Sequence, residues 1–325
     1  MIETAMLMTA GLGTRMRPYT DLTPKPLLPV LGIACAQWAL DSLAKAGIRR
    51  VVANVHHLAH ATAHGLSRLE LHGMELVISD ESTEILGSAG GLRQAEKLLG
   101  SAPFLYVNGD TICNLDIRAL MLKHERLRSQ WGVRLTMGVL PAAPGAGLYR
   151  EIKLDARHGL ITGLGEKKPG RPLFTGIAVI EPEVLATLPT GASDFVPTIL
   201  EPAVRDQKAG AFVKDGFWFD IGSPELWLET HLSLIRLNER GALSSDWRKK
   251  IEAINRRVTD GVWVHHTAEP WLNNSGWTGP AYWFPGLGAP PEVLGPNSVI
   301  YGNSPTPLAD RPGISYEGLW TATTF

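Results

Sequence analysis

Apolar positions along the first 130 residues alternate between two periods. Short apolar runs at 5–9, 50–55, 74–78 and 103–107 predict buried strands. Between them the spacing turns helical. Over 34–46, Trp38, Leu40 and Leu43 are apolar, Asp41 and Lys45 are polar, and Gly47 suits a C-cap. Segments 57–69, 88–99 (stopping at Gly100) and 115–128 predict further helices. Such β-α alternation predicts an α/β fold, with a mostly parallel sheet and helices on both faces. Ligands of such sheets gather at the carboxyl ends of the strands.

The pattern then changes. Short strands at 133–139, 151–154, 160–165 and 174–180 read as a β-rich insertion that walls a substrate pocket. A strand at 217–220 leads into a helix over 224–238, with Ser223 as N-cap and Pro224 in the first turn. Segment 244–257 is charged and helical in pattern. From Val262 onward Trp, Gly, Pro and Asn rise and helical periodicity vanishes. The phrases VWVHHTAEP, GPAYWFPG and VLGPNSVIYGNS, best over 294–304, resemble hexapeptide repeats of a left-handed parallel β-helix. The alternative is an extended Trp-rich tail packed on the main domain or on a partner subunit. The expected division is a main domain at 1–240, a helical connector at 241–261 and a short, degenerate β-rich region at 262–325.

With 325 residues, 44% of them hydrophobic, the chain can bury one large core and a smaller one. Its net charge of −1 argues against nucleic acid or a membrane surface as partner. Cys35 and Cys113 are the only cysteines and suggest no disulfide framework, which suits a reducing compartment. The start lacks signal-peptide features and no apolar run approaches a membrane span, so a cytoplasmic protein is expected.

Candidate chemistry concentrates at 7–30, LMTAGLGTRMRPYTDLTPKPLLPV. Gly11 and Gly13 let backbone N–H groups approach a polyphosphate, and Arg15, Arg17 and Lys25 supply neutralising charge. Pro24 and Pro26 stiffen the backbone at Lys25, and Pro26 biases Lys25 toward extended geometry. The dinucleotide fingerprint fails because Met16 stands where its third glycine belongs; the P-loop fails for lack of a Gly-Lys-Ser/Thr ending. Two apolar strands end in aspartate, FLYVNGD at Asp110 and FWFDIGSPE at Asp220. Two carboxylates from different strand ends make a hard-oxygen site of the kind Mg²⁺ takes. His56, His60 and His64 have helical spacing that can bind zinc, but no acidic or thiol partner stands nearby in sequence, so no metal is assigned to them.

Gly11, Gly13, Thr14, Arg15, Pro18, Thr20 and Pro24-Lys25-Pro26 together match G-x-G-T-R-x-x-P-x-T followed by P-K-P. In this the chain resembles the sugar-1-phosphate nucleotidyltransferases. The resemblance covers about residues 5–238. It implies a Rossmann-like, GT-A-like mixed sheet and Mg²⁺-dependent attack of a sugar 1-phosphate on the α-phosphate of a nucleoside triphosphate. Asp110 and Asp220 would be the metal ligands. Arg15 would hold the β- and γ-phosphates, and Lys25 would hold the α-phosphate and the attacking group. Ala10, Gly11, Gly13, Thr14 and Asn108 would line the nucleotide. EILGSAGGL is similar to the family's L-G-T-A-G loop. It implies that Gly87, Ala89 and Gly90 let the base lie close to backbone while Glu84 accepts from a base N–H; otherwise it is an ordinary loop capped by Ser88. GEKK resembles the E-K-P element, pointing to Glu166 and Lys167 for the sugar phosphate, with Gly176 in the strand beside the sugar. LGSAGG leans toward guanylyl transfer to a mannose- or heptose-type 1-phosphate. Uridylyl transfer to N-acetylmuramate 1-phosphate or another hexose 1-phosphate is the alternative, and an inactive nucleotide-sugar-binding subunit is a third reading. Homo-oligomerisation would run through the C-terminal region.

Overall fold

The structure, a computed structural model, describes residues 2–142, 149–266, 277, 279, 281–285, 297–302, 313–316 and 319–322. Its contacts divide the chain into two compact units. The first comprises Met1–Leu12, Pro24–Leu27 and Cys35–Trp218; the second comprises Gly13–Thr23, Leu28–Ala34 and Phe219–Phe325.

The first unit is built on a nine-stranded mixed sheet. Its order is Glu75–Asp80, Arg50–Val55, Thr4–Met8, Phe104–Asn108, Leu173–Ile180, Leu135–Leu140, Ala209–Val213, Leu160–Lys167, Arg150–Asp155. The first four strands run parallel, as the β-α alternation predicts. Alternation at period two sends successive side chains to opposite faces, and both faces are buried. Ala5 and Leu7, Leu105 and Val107 join one apolar cluster, while Met6, Phe104 and Tyr106 join the other. Helices Cys35–Ala46, Ala59–Ser67, Gly87–Gln94, Glu96–Leu99 and Ile117–Trp131 fill the predicted positions. The last is capped by Asp116, whose carboxylate accepts from Ala119 N–H at 3.0 Å.

Three expectations need correction. The strands over 133–180 are not an insertion: Leu173–Ile180 pairs antiparallel with Phe104–Asn108 and carries the central sheet onward. Local apolar pattern reports that a strand is buried, not which strand lies beside it. The segment around Lys25 is a tight turn, with Leu27 N–H donating to Pro24 O at 2.8 Å. The bias of Pro26 toward an extended predecessor is overridden by this hydrogen bond and by burial of Pro26. The helix predicted over 244–257 ends at Ile254, and Asn255–Thr259 is a strand. Asn255 makes the switch: its amide donates to Ile251 O at 3.0 Å and to Leu31 O at 2.9 Å.

In the second unit, Ser223 caps helix Pro224–Glu239 by accepting from Leu226 N–H. A six-stranded sheet follows, in the order Asn255–Thr259, Val262–His265, Ala281–Pro285, Ser298–Gly302, Gly313–Tyr316, Leu319–Ala322. Its four middle strands are parallel, while the first and last pair antiparallel. The sheet is therefore mixed, unlike the all-parallel coil suggested by the repeats. Of the best repeat fragment, 294–296 and 303–304 lie outside the described residues. Val262, Val264, Ala281, Trp283 and Ile300 bury one face. His231 lies fully buried among Trp227, Tyr282 and Tyr301; its Nδ1–H donates to Trp227 O (2.8 Å) and its Nε2 accepts from the Tyr301 hydroxyl (2.7 Å). Burial pushes its imidazole down to about 4, so it is neutral near pH 7.

Candidate active site

Within the first unit the carboxyl ends of the parallel strands surround a cavity of about 230 Å³. Ala10, Gly11, Lys25, Gly87, Asn108 and Asp110 line it, all of them residues singled out from sequence. Lys25 Nζ lies 2.5 Å from Asp110 Oδ2, their side chains 11% and 32% exposed. Three glycines shape the neighbourhood, each for its own reason. A Cβ at Gly109 would stand 2.8 Å from Met8 O, so the Asn-Gly-Asp turn closes only without a side chain. At Gly176 (φ +81°) a Cβ would stand 2.7 Å from Asn108 Nδ2; this glycine makes room for Asn108 and does not itself line the cavity. At Gly11 a Cβ would meet nothing within 4 Å, so no packing demands glycine at this point of the wall.

Thr9, Asn54, Glu81 and Tyr106, also in the lining, were not singled out from sequence. Glu81 is 1% exposed and holds Asn54, whose amide donates to Oε1 at 2.9 Å. Asn54 in turn fixes Thr9, accepting from its N–H at 2.8 Å and, through its carbonyl, from its hydroxyl. His56 Nδ1 donates to Glu81 O at 2.6 Å. Burial pushes the Glu81 carboxyl up, while hydrogen bonding from Asn54 and the charge of His56 draw it back. Glu81 Oε2 is buried and has no hydrogen-bond partner among the described residues. Tyr106 also lines the cavity; burial raises its hydroxyl well above the ordinary range and keeps it protonated.

The EILGSAGGL loop is organised differently from expectation. Glu84 is exposed and, with Ala89 and Gly90, is absent from the cavity lining. Ala89 and Gly90 donate to Ser193 O at 2.9 and 3.2 Å, and a Cβ at Gly90 would stand 2.4 Å from Gly191 O. The small residues serve packing against 191–193, a long-range need that no local motif reveals. Ser88 does not cap its own helix; its hydroxyl accepts from Phe195 N–H at 2.8 Å. Glu166 and Lys167 are exposed on strand Leu160–Lys167 and do not line the cavity; Glu166 pairs with Lys168 at 2.7 Å. His56 precedes the helix that begins at Ala59, so the three histidines share no helix face. Among the described residues the grouped metal-type ligands are Asp41, Glu70 and His72, joined instead by a 2.8 Å His72–Asp41 pair.

Gly13, Thr14, Arg15 and Asp220 belong to the second unit. Gly13 is left-handed (φ 61°) and opens a 3₁₀ turn, Thr14–Met16, that carries Arg15. Thr20 Oγ1 donates to Gly13 O at 2.8 Å. Arg15 Nη2 and Asp220 Oδ2 both crowd Gly222, where a Cβ would lie 3.2 and 2.8 Å from them. Asp110 and Asp220 offer hard anionic oxygens, the donor class that suits a divalent ion such as Mg²⁺. The two signature glycines should therefore separate experimentally. Gly13→Ala is expected to cost roughly 1–2 kcal/mol, from left-handed strain and contact with Thr20. Gly11→Ala should leave the melting temperature unchanged while raising the KM for the triphosphate about tenfold, because the added methyl stands in the cavity wall. Equal thermal destabilisation by both would contradict this division.

The sequence model of the nucleotidyl transferase family matches residues 4–236. The chain belongs to that family. Within it, the similar proteins are sugar-1-phosphate nucleotidyltransferases. The N-acetylmuramate alpha-1-phosphate uridylyltransferase of Neisseria meningitidis serogroup B is 30% identical over 245 residues, 75% of this chain and 99% of that protein. A mannose-1-phosphate guanylyltransferase catalytic subunit beta of Drosophila melanogaster is 30% identical over 230 residues, 69% of this chain and 60% of that protein. Among solved structures, HddC from Yersinia pseudotuberculosis superposes with a TM-score of 0.61 at 20% identity, covering 72% of this chain and 100% of that one. The inositol-1-phosphate CTP transferase from T. maritima gives 0.58 at 19%, covering 77% and 95%. These two likenesses establish the shared nucleotidyltransferase fold. No described helix is long and apolar enough to cross a membrane.

Proposed function

We propose that the enzyme joins a nucleoside triphosphate to a sugar 1-phosphate, giving a nucleotide-sugar and pyrophosphate. The observation that carries this reading is one cavity whose lining combines the Lys25–Asp110 pair with the buried, unpartnered oxygen of Glu81. Both reactants are anions, and at about 4 Å two unit charges repel by roughly 4 kcal/mol at an effective dielectric near 20. Lys25 offsets this repulsion by turning its ammonium from Asp110 to the α-phosphate. Arg15, exposed on its glycine turn, takes the β- and γ-phosphates and steadies the leaving pyrophosphate. The attacking phosphate oxygen is already ionised, so no side chain has to act as general base, and positioning with charge stabilisation carries the step. Asp110, in the cavity wall, would hold Mg²⁺, which when bound neutralises phosphate charge; Asp220, in the second unit, offers the same donor class.

Glu81 narrows the base. A carboxylate oxygen with no partner accepts hydrogen bonds, and guanine N1–H and uracil N3–H both supply one. Adenine and cytosine present a bare acceptor nitrogen at the corresponding ring position, so both should be rejected. Guanine adds a second donor beside the first, which supports the lean toward GTP with a mannose- or heptose-type 1-phosphate. UTP with N-acetylmuramate 1-phosphate is the second reading. It is supported by the uridylyltransferase relative, which this chain covers almost completely. The parallel tail strands, whose register-matched residues Val262, Ala281, Ser298 and Gly313 recur every fifteen to nineteen residues, favour a short β-helix-like stack. The test is pyrophosphate release over a matrix of four triphosphates against several sugar 1-phosphates with Mg²⁺. Turnover confined to GTP or UTP is expected; turnover with ATP or CTP alone would refute the role of Glu81, and none with any pair would refute the activity.

A further inference from the structure

We infer that the last two described strands, Gly313–Tyr316 and Leu319–Ala322, position the loop that carries Arg15; the inference rests on Arg15 acting as proposed. All the residues concerned lie in the second unit. Arg15 itself is exposed, so its aim depends on how its loop is held. The loop is fastened a few residues downstream. Met16 and Tyr19 are fully buried. The Tyr19 hydroxyl donates to Ile314 O at 3.1 Å and lies 2.5 Å from Thr321 Oγ1. A carbonyl only accepts, so Tyr19 spends its proton on Ile314 and Thr321 donates back to Tyr19. Thr23 Oγ1 makes a second tie, 3.0 Å from Tyr316 OH. The Tyr19 ring packs edge-on against Trp227 and Tyr316, with centroids 5.3 and 6.4 Å away. Thr20 passes the restraint to Gly13 through its 2.8 Å bond to the Gly13 carbonyl. The downstream side of the Arg15 turn is thus fixed to partners beyond residue 310, and its Gly13 end is tied to Thr20, the neighbour of Tyr19.

The two strands of this scaffold lie beyond the stretch that matches the family. The family match ends at residue 236, and the alignment to the 245-residue span of the uridylyltransferase takes in 99% of that relative. The tail of this chain therefore supplies a restraint on the signature loop from sequence beyond the family match. Tyr19 and Thr23 are positioning residues, since neither is assigned a contact with substrate.

The test uses the full chain with Tyr19→Phe, Thr23→Val and the double substitution. Tyr19→Phe keeps the buried ring and removes only its hydroxyl. Two readouts are taken: amide hydrogen exchange across 13–23 and steady-state kinetics of pyrophosphate release. In the double variant, exchange over 13–23 should rise at least about tenfold with the melting temperature nearly unchanged. Its kcat should fall about tenfold, with the KM for sugar 1-phosphate within about twofold, as expected for a displaced phosphate-binding cation. Thr23→Ser, which keeps the hydroxyl, should behave as wild type. Unchanged exchange in the double variant, or faster exchange with wild-type kcat, would overturn the inference. If the wild-type chain releases no pyrophosphate, the functional reading falls, while the exchange measurement still decides whether the tail holds the loop.

Discussion

Asp110→Asn is expected to lower turnover by at least about a hundredfold while leaving the fold intact, because its carboxylate is proposed as the cavity's metal-type ligand. The substitution removes charge but little shape. The amide oxygen still accepts from Lys25, which sits 2.5 Å from Asp110 Oδ2 in the native arrangement. Gly109 and the Asn108 side chain, which fix the turn, are untouched. Stability should therefore change little and catalysis much. Thermal melting beside single-turnover pyrophosphate release separates the two. Near-wild-type turnover in Asp110→Asn would remove this aspartate from the scheme and with it the assignment of a bound divalent ion.

The second large effect is expected at Glu81. Asn54 donates to Oε1, so in Glu81→Gln the amide oxygen takes that position and the NH₂ group replaces Oε2. A buried acceptor becomes a buried donor without change of size. It would face the imino N–H of guanine or uracil donor to donor, and the KM for the preferred triphosphate should rise about a hundredfold. Discrimination against ATP or CTP should weaken in parallel. Glu81→Leu serves as a contrast, since it loses the acceptor without gaining a donor and also strips Asn54 of its partner. Competition assays with paired triphosphates measure the change directly; an unaltered base preference in Glu81→Gln would assign Glu81 to holding Asn54 and Thr9 only.

The parts of this site legible in the sequence were those with tight local constraints. Asn-Gly-Asp after an apolar strand, and Gly-x-Gly before two cations, each encode their geometry within a few residues. Glu81 carried the same kind of signal, an acid just past the end of strand Glu75–Asp80, but the more familiar loop beginning at Glu84 drew the assignment away from it. Gly90 has a reason for being small that no local window shows, a carbonyl at Gly191 about a hundred positions along the chain. The same limit explains the sheet. Strand Leu173–Ile180 is plain from its apolar run, yet its place beside Phe104–Asn108 depends on pairing that no local window contains. Asn255 shows the reverse case, where one side chain bonding Leu31 ends a helix whose charge pattern reads as continuing.

The hydroxyl of Tyr19 meets partners 295 and 302 positions away in the chain. On a ribosome, which releases the N-terminal part first, those partners emerge about three hundred residues after Tyr19. The sheet of the first unit can condense long before then, but the turn bearing Arg15 has nothing to close against. Contacts of such sequence separation form slowly and late. A nascent chain of this enzyme should thus hold a folded core and remain idle until strands Gly313–Tyr316 and Leu319–Ala322 dock.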